Sequence, residues 1–257
     1  MSQVPDHPDF MTADSGELID SQLFDGQYAD RPQLRPILDE VLALSTGTNN
    51  VFPAVREATI AGLAAGLVAT GAVPADGATS RAKLLEVRAG DRTETALVDV
   101  AVSTERHVGA RAVWDPATVT QLFCAFAEPD AIGLSSVLGQ LAPVSRQDPR
   151  GVTARLAAAA PRQVLAPVAP GLVVPVGVGE IEPMHPGSVH AIDARAGVIA
   201  VDGERELTFG PADQPAVRLR ADGPRCLDVP AVLAASARLG LLTTIHQPPG
   251  GAHDRHG

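Results

Sequence analysis

The stretch Glu40-Val41-Leu42-Ala43-Leu44-Ser45-Thr46-Gly47-Thr48-Asn49-Asn50-Val51-Phe52-Pro53 decides how this chain reads. Glu40 to Leu44 is a short apolar run of strand character. Ser45 to Asn50 is turn chemistry, because hydroxyls, amides and a glycine compete with regular backbone ladders. From Val51 to Thr70 the chain is rich in Ala, Leu and Val, and Gly71 stands where a helix ends in the left-handed conformation. Strand, polar turn and helix make one βα unit. A turn that opens a helix presents unpaired backbone N–H groups and the positive end of the helix dipole, which suits a phosphate. Gly47 permits a tight backbone there, and Thr48, Asn49 and Asn50 add side-chain donors and acceptors. The competing reading is a plain strand-to-helix turn in which Thr or Asn only caps the helix.

Working outward, residues 1–31 carry little apolar periodicity and read as a loosely attached arm, which leaves residues 32–80 as the α/β piece. The region 81–242 has another character. Ala82 to Val87 and Thr95 to Val102 flank Ala89-Gly90-Asp91-Arg92, a β-hairpin pattern. Asp115-Pro116 reads as the cap and first position of a helix running through Leu122, Phe123 and Phe126. Beyond it, Val164–Ala166, Leu172–Val176, Val198–Val201 and Ala216–Leu219 are short apolar runs cut by Gly and Pro, the spacing of an all-β domain. A last helix is expected from Pro230 to Gly240, and 243–257 is a polar tail. The fold class expected is α/β followed by β-rich.

Composition narrows the function. The 20 basic residues against 30 acidic ones give a net charge of −10, which argues against a nucleic-acid partner. Lys83 is the sole lysine, so no GxxxxGK[ST] loop exists and any phosphate site must use amides, hydroxyls and arginines. Cys124 and Cys226 sit in no CxxC or Cys/His cluster and read as small buried hydrophobes of a reducing compartment. The first residues lack a basic segment followed by an apolar one, so no secretory leader is read and a cytoplasmic location is expected. The uncharged stretch Ala58 to Ala75 approaches the length of a membrane span, but it breaks at Gly71 and Pro74 and reads as a buried helix. Within it Gly62 and Gly66 suggest close packing of the helix on a sheet.

Several segments, in order, resemble the ATP-NAD kinase superfamily, and most closely its acetoin-catabolism AcoX branch. They are Ser45-Thr46-Gly47-Thr48-Asn49-Asn50-Val51-Phe52-Pro53 with the helix after it, Ala96-Leu97-Val98-Asp99, Ile132-Gly133-Leu134-Ser135-Ser136, Leu165-Ala166-Pro167-Val168-Ala169-Pro170, and Val201-Asp202-Gly203. The resemblance covers roughly residues 37–240. It implies a Rossmann-like N-terminal lobe followed by an NAD-kinase-like β-sandwich domain, with self-association through the β-rich part into a homo-oligomer. It also implies ATP and NAD as small-molecule nucleotide partners, with Mg²⁺ on the phosphates, and no membrane partner. The chain before Leu44 is shorter than the family's opening strands require, so the first lobe is expected to be incomplete, as in a chain truncated at its N-terminus. The family's turn aspartate is replaced by Thr46, and its Asn-Glu pair by Val98-Asp99.

What the resemblance implies for the site follows residue by residue. Gly47, Thr48, Asn49, Asn50, Asp99, Gly133 and Ser135 are the expected nucleotide contacts. Asp99 is the candidate catalytic group, because Thr46 is neutral and accepts no proton at neutral pH. Asp99 has a competing reading as a charged residue on the solvent face of an alternating strand, and Asp202 as a simple hairpin turn. His107 with Arg106 or Arg111 is a further phosphate candidate or a polar surface loop. His185 and His190 flank a Pro-Gly turn without the partners a zinc site needs, and His253 and His256 belong to the tail. Ser135-Ser136 lacks the frame of a hydrolase nucleophile.

Overall fold

The structure is a computed structural model that describes residues 40–43, 52, 57–104 and 116–244. Among these, a seven-stranded antiparallel sheet supplies the framework, because several of its strands are buried on both faces. Its order is β12-β11-β5-β6-β7-β9-β8. These strands are Asp99–Ser103 (β5), Val119–Cys124 (β6), Gly151–Leu156 (β7), Arg162–Ala169 (β8), Leu172–Met184 (β9), Gly197–Val201 (β11) and Arg205–Phe209 (β12). A four-stranded antiparallel sheet covers one face. It is built from Leu84–Ala89 (β3), Arg92–Ala96 (β4), Val189–Ala191 (β10) and Ala216–Arg220 (β13), in the order β10-β13-β3-β4.

Period-two alternation divides the large sheet between two cores. Val100, Val102, Phe123, Ile199 and Val201 point to the four-stranded sheet and pack with Leu85, Val87, Val217 and Leu219. Ala101, Leu122, Cys124, Ala154 and Ala200 point the other way and pack against the one-turn helix Ser135–Gly139 (α2) through Val137 and Leu138. Asp99 is two residues from Ala101 on β5 and lies directly opposite Cys124 on β6, so parity puts it on the α2 face.

A third cluster lies outside this sandwich. Glu40–Val41 (β1) pairs in parallel with Arg225–Leu227 (β14), which pairs antiparallel with Thr79–Arg81 (β2). The helix Ala58–Ala69 (α1) packs on the helix Val229–Leu239 (α3) through Ala64, Leu67, Val68 and Val232. The chain thus returns at its end to the α/β piece it began with. Helix α1 ends as its sequence indicates, with Gly71 at φ 72°, and α3 is capped by Asp228 and closed by Gly240 at φ 65°. Neither helix is long and apolar enough to cross a membrane.

Four sequence readings need correction. The helix expected from Asp115-Pro116 is a 3₁₀ turn at Pro116–Thr118 followed by strand β6. Residues Gln121 to Cys124 are all buried because β6 is central in its sheet, so the alternation that marks a strand is missing. Thr95 to Val102 is not one strand: β4 ends at Ala96, and β5 begins at Asp99 in a different sheet. Helix α1 starts at Ala58, where the Glu57 carboxylate accepts from the N–H groups of Thr59 and Ile60 at 3.0 and 2.8 Å. Gly62 and Gly66 do not pack on a sheet. They lie on the exposed side of α1, with no atom of the described residues within 4 Å of where a Cβ would stand.

Candidate functional site

The chain crosses from the four-stranded to the seven-stranded sheet at Leu97 and Val98, and that crossing builds the site. Leaving one ladder and joining another turns successive backbone N–H groups away from strand partners, and they need an acceptor. Asp202 supplies it from the hairpin turn joining β11 to β12. Its Oδ1 accepts from the N–H groups of Leu97, Val98 and Asp99 at 3.1, 2.8 and 3.2 Å, and its Oδ2 from Leu97 at 2.9 Å. In return its own N–H donates to the Asp99 carbonyl at 3.0 Å. Asp202 has φ 53° and Gly203 φ 71°, and with Glu204 they make the three-residue loop between Val201 and Arg205. Asp202 is therefore the hairpin residue the sequence suggested, and also a clamp on the start of β5.

Asp99 itself is buried, 9 % exposed, within a strand buried at every position. The solvent-face reading of this residue is overturned. The backbone N–H of Ser135, at the start of α2, acts on its carboxylate and favours the charged form. Burial, then the nearby Asp202 carboxylate, push its pKa up to about 7, against the opposing pull of that N–H. Burial also raises Asp202, while the three backbone N–H groups and Arg205 oppose the shift. Arg205 lies 3.9 Å from the Asp202 carboxylate and donates to Glu94 at 2.8 Å and to the Thr95 carbonyl at 2.6 Å, strapping the hairpin to β4. Across the ladder the buried Cys124 thiol is raised by burial and by Asp99, so it stays protonated.

The turn before α2 closes the group. Gly133, at φ 97°, donates its N–H to the Pro167 carbonyl at 2.9 Å. The Ser136 hydroxyl donates to the Gly133 carbonyl at 2.6 Å. Ser135 is wholly buried, and among the described residues its Oγ has no hydrogen-bond partner. Thus Asp99, Gly133, Ser135, Pro167 and Asp202, which come from four separated segments of the sequence, meet on one face of the large sheet. Thr46, Gly47, Thr48, Asn49 and Asn50 lie outside the described residues, as do Arg106, His107, Arg111, His253 and His256.

Sequence reading missed other polar features. A cleft of about 280 Å³ is lined by Gln121, Arg155, Glu180, Glu182, His190 and Asp193, with Arg155 paired to Asp193 at 2.5 Å. The i, i+2 spacing of Glu180 and Glu182 on β9 was the available signal, since it puts both on one strand face. Among the described residues no group of three His, Cys, Asp or Glu side chains is placed to hold a metal ion. Lys83 is also unexpected in its burial. Its Nζ donates to the carbonyls of Ser145 and Arg150 at 3.0 and 2.6 Å, and burial lowers its pKa to about 8.

The model of the acetoin catabolism protein X C-terminal domain matches residues 83–222, a span that contains Asp99, Gly133, Ser135 and Asp202. The chain belongs to that family. It is similar to the acetoin catabolism protein X of Cupriavidus necator, with 41% identity over 215 residues. That match takes in 81% of this chain and 60% of the relative, so the chain spans about 60% of the length of the curated protein it matches.

Proposed function

We propose that this acetoin catabolism protein X family member binds a nucleotide at the Asp99 face of its large sheet. There it acts as an NAD-kinase-like phosphotransferase in the cytoplasm, in a role tied to acetoin catabolism. The acceptor is NAD or a related molecule with a free hydroxyl. In this reading the hydroxyl oxygen forms a bond to the γ-phosphorus of ATP, the bond from that phosphorus to the ADP oxygen breaks, and the hydroxyl proton passes to Asp99. A carboxyl whose pKa lies at about 7 is suited to take such a proton near neutral pH. The second nucleotide wall belongs to a Rossmann-like lobe around β1 and α1, with Gly47, Thr48, Asn49 and Asn50 as its phosphate turn. Mg²⁺ would be held chiefly by phosphate oxygens and water, as is usual for this ion.

One observation carries the reading: among the described residues the fully buried Ser135 Oγ has no partner, and the backbone N–H of the same serine acts on the buried Asp99 carboxylate. A buried hydroxyl without a partner is rare, and a ligand hydroxyl or phosphate oxygen satisfies it. The test is purified protein with ATP, Mg²⁺ and NAD, read by mass for NADP. The expected result is turnover that falls about 10²–10⁴-fold in Asp99→Asn. No product, together with no heat of binding for either nucleotide, refutes it.

A second reading is nucleotide binding without transfer, as in a regulatory protein. It is favoured by the neutral Thr46 where the family has an acid and by the enclosure of Asp99. Calorimetry that shows binding, with no product, selects it, and Thr46→Asp then tests whether the missing acid is the cause. The proposal includes a homo-oligomer. The exposed Leu165 and Val173, 69 % and 60 % accessible on the outer face of the β8–β9 hairpin, offer an apolar surface for one. Light scattering on the purified chain decides that point.

A further inference from the structure

The seven-stranded sheet is wider than the four-stranded sheet that covers it, and the uncovered strip is polar. On β9, Met184 packs between the two sheets, while Glu182 and Glu180, which period-two alternation puts on the same face, stand exposed. Arg155 on β7 shares that face and pairs across the ladder with Gln121 on β6. The cleft described above lies where this strip meets β10. Among the described residues that line it, the carboxylates of Glu180, Glu182 and Asp193 stand against the single guanidinium of Arg155. Arg155 is committed to Asp193 at 2.5 Å and reaches Glu180 only at 3.9 Å. Among the described residues the Glu182 carboxylate makes no ion pair or hydrogen bond. His190 is turned to the Phe123 ring and to the Ser188 hydroxyl. The cleft is left with negative charge to spare.

Strand β10 walls this cleft, and it is an edge strand: among the described residues its ladder neighbour is β13, on the far side. In an antiparallel ladder alternate residues turn their N–H and C=O groups away from the partner. Ile192, next after β10, donates to the Pro215 carbonyl at 3.0 Å, so the outward residues are Ala191 and Val189. The Ala191 carbonyl bears this out, since it accepts from the Gln121 side chain at 3.3 Å. The same side chain takes the N–H of Asp193 at 3.3 Å. Buried Gln121 thus holds the edge over the large sheet, with the N–H groups of Val189 and Ala191 turned to the cleft that both residues line.

We propose that this edge takes an extended basic segment of another protein as an added strand. A strand beside β10 would sit about 4.8 Å from it and about 10 Å above β7 and β9. Its alternate side chains would point into the cleft about 6.8 Å apart, the period at which Glu180 and Glu182 recur. Lys or Arg there spans the gap with its aliphatic stem and brings its charge to the two carboxylates. Main-chain bonds to Val189 and Ala191 supply the rest. Charges under an open edge protect a sheet from pairing with its own kind. With a net charge of −10, a second copy of this chain is repelled from an acidic strip, whereas a basic strand is drawn to it. The cleft lies on the opposite face of the large sheet from Asp99, so the proposal stands apart from the nucleotide reading.

The experiment is fluorescence anisotropy on the full chain at low ionic strength, with a short labelled peptide that alternates Lys and Val. A second peptide has the same composition with its lysines in one block, and a third alternates Glu and Val. The alternating basic peptide binds saturably, the block peptide at least about fivefold more weakly, and the acidic one not at all. Glu180→Gln combined with Glu182→Gln weakens binding about five- to twentyfold at an unchanged melting temperature. Ala191→Pro removes an outward N–H and leaves the ladder to β13 intact, and it weakens binding about two- to tenfold. No binding of the alternating basic peptide overturns the proposal, as does unchanged affinity in the glutamate variant. Equal affinity for the alternating and block peptides overturns it too, because charge alone then suffices. Self-association of the parent that Ala191→Pro abolishes overturns it in favour of a second copy at this edge. Should Ala191→Pro not fold, the glutamate variant and the block peptide carry the test.

Discussion

Replacing Asp202 separates what its carboxylate does from what its backbone does. The group satisfies three backbone N–H groups in the crossing between sheets, and Oδ1 alone receives all three. Hydrogen bonds to a charged acceptor contribute about 1.5–3 kcal/mol each, and a stranded buried donor costs about 1–3 kcal/mol. The full sum is not reached. The Asp202 side chain is 19 % exposed, so water partly replaces it, and burial already disfavours its charge. A loss of about 3–4 kcal/mol is expected for Asp202→Ala. Asp202→Asn keeps a neutral oxygen at the Oδ1 position, and asparagine tolerates φ 53° well, so about 1–2 kcal/mol is expected. Urea unfolding of the three proteins, with equal slopes, gives both numbers. If Asp202→Ala lies within about 1 kcal/mol of Asp202→Asn, the amides are satisfied some other way and the clamp is not what orders the crossing.

Three other outcomes are expected. Asp99 has its folded pKa raised from 3.8 to about 7, so the native state holds the proton more tightly than the unfolded chain. Its contribution is intact below pH 3.8 and is lost as pH rises to about 7, on the order of 4 kcal/mol at most. The stability difference between parent and Asp99→Asn, from urea midpoints at pH 4 to 8, should therefore move in favour of the variant as pH rises; a flat difference contradicts this. Gly62→Ala and Gly66→Ala should each stabilise the chain by about 0.5–1 kcal/mol, because both are helical and open to solvent. Gly197→Ala should destabilise it by more than about 2 kcal/mol, since its Cβ would strike the Ser103 carbonyl oxygen; thermal melts rank the three. Lys83→Met should cost about 2–3 kcal/mol by leaving the Ser145 and Arg150 carbonyls without their donor, and a urea midpoint equal to that of the parent would exclude that role.

Local chemistry was legible in the sequence wherever local chemistry governs. Gly90 at φ 61° turns β3 into β4, Gly240 closes α3, and Gly71 ends α1, each at the position its residue type indicates. Two misreadings share a different cause, the dependence of local structure on distant partners. Strand β6 is central and buried, so it shows no alternation, while Asp115-Pro116 imitates a helix start. The break between β4 and β5 depends on a carboxylate more than 100 residues away, and no window around Leu97 contains it. The burial of Asp99 belongs to the same class, since it follows from β5 lying between β11 and β6 with α2 laid over one face.

That burial is the point at which fold and function part. Asp202 spends its acceptor capacity on three amides, so its burial has a structural account. Asp99 does not: an ionised carboxylate has about four acceptor positions, and among the described residues the pull of the Ser135 N–H is what favours its charge. A valine there would match Val100 and Val102 in size and avoid the cost of a buried charge. Among the described residues Ser135 Oγ is equally unused. Folding alone thus leaves one acceptor and one hydroxyl unmatched at adjoining positions on the same sheet face. A ligand that brings its own hydroxyl and phosphate oxygens to that face would match both, and on this the nucleotide proposal stands.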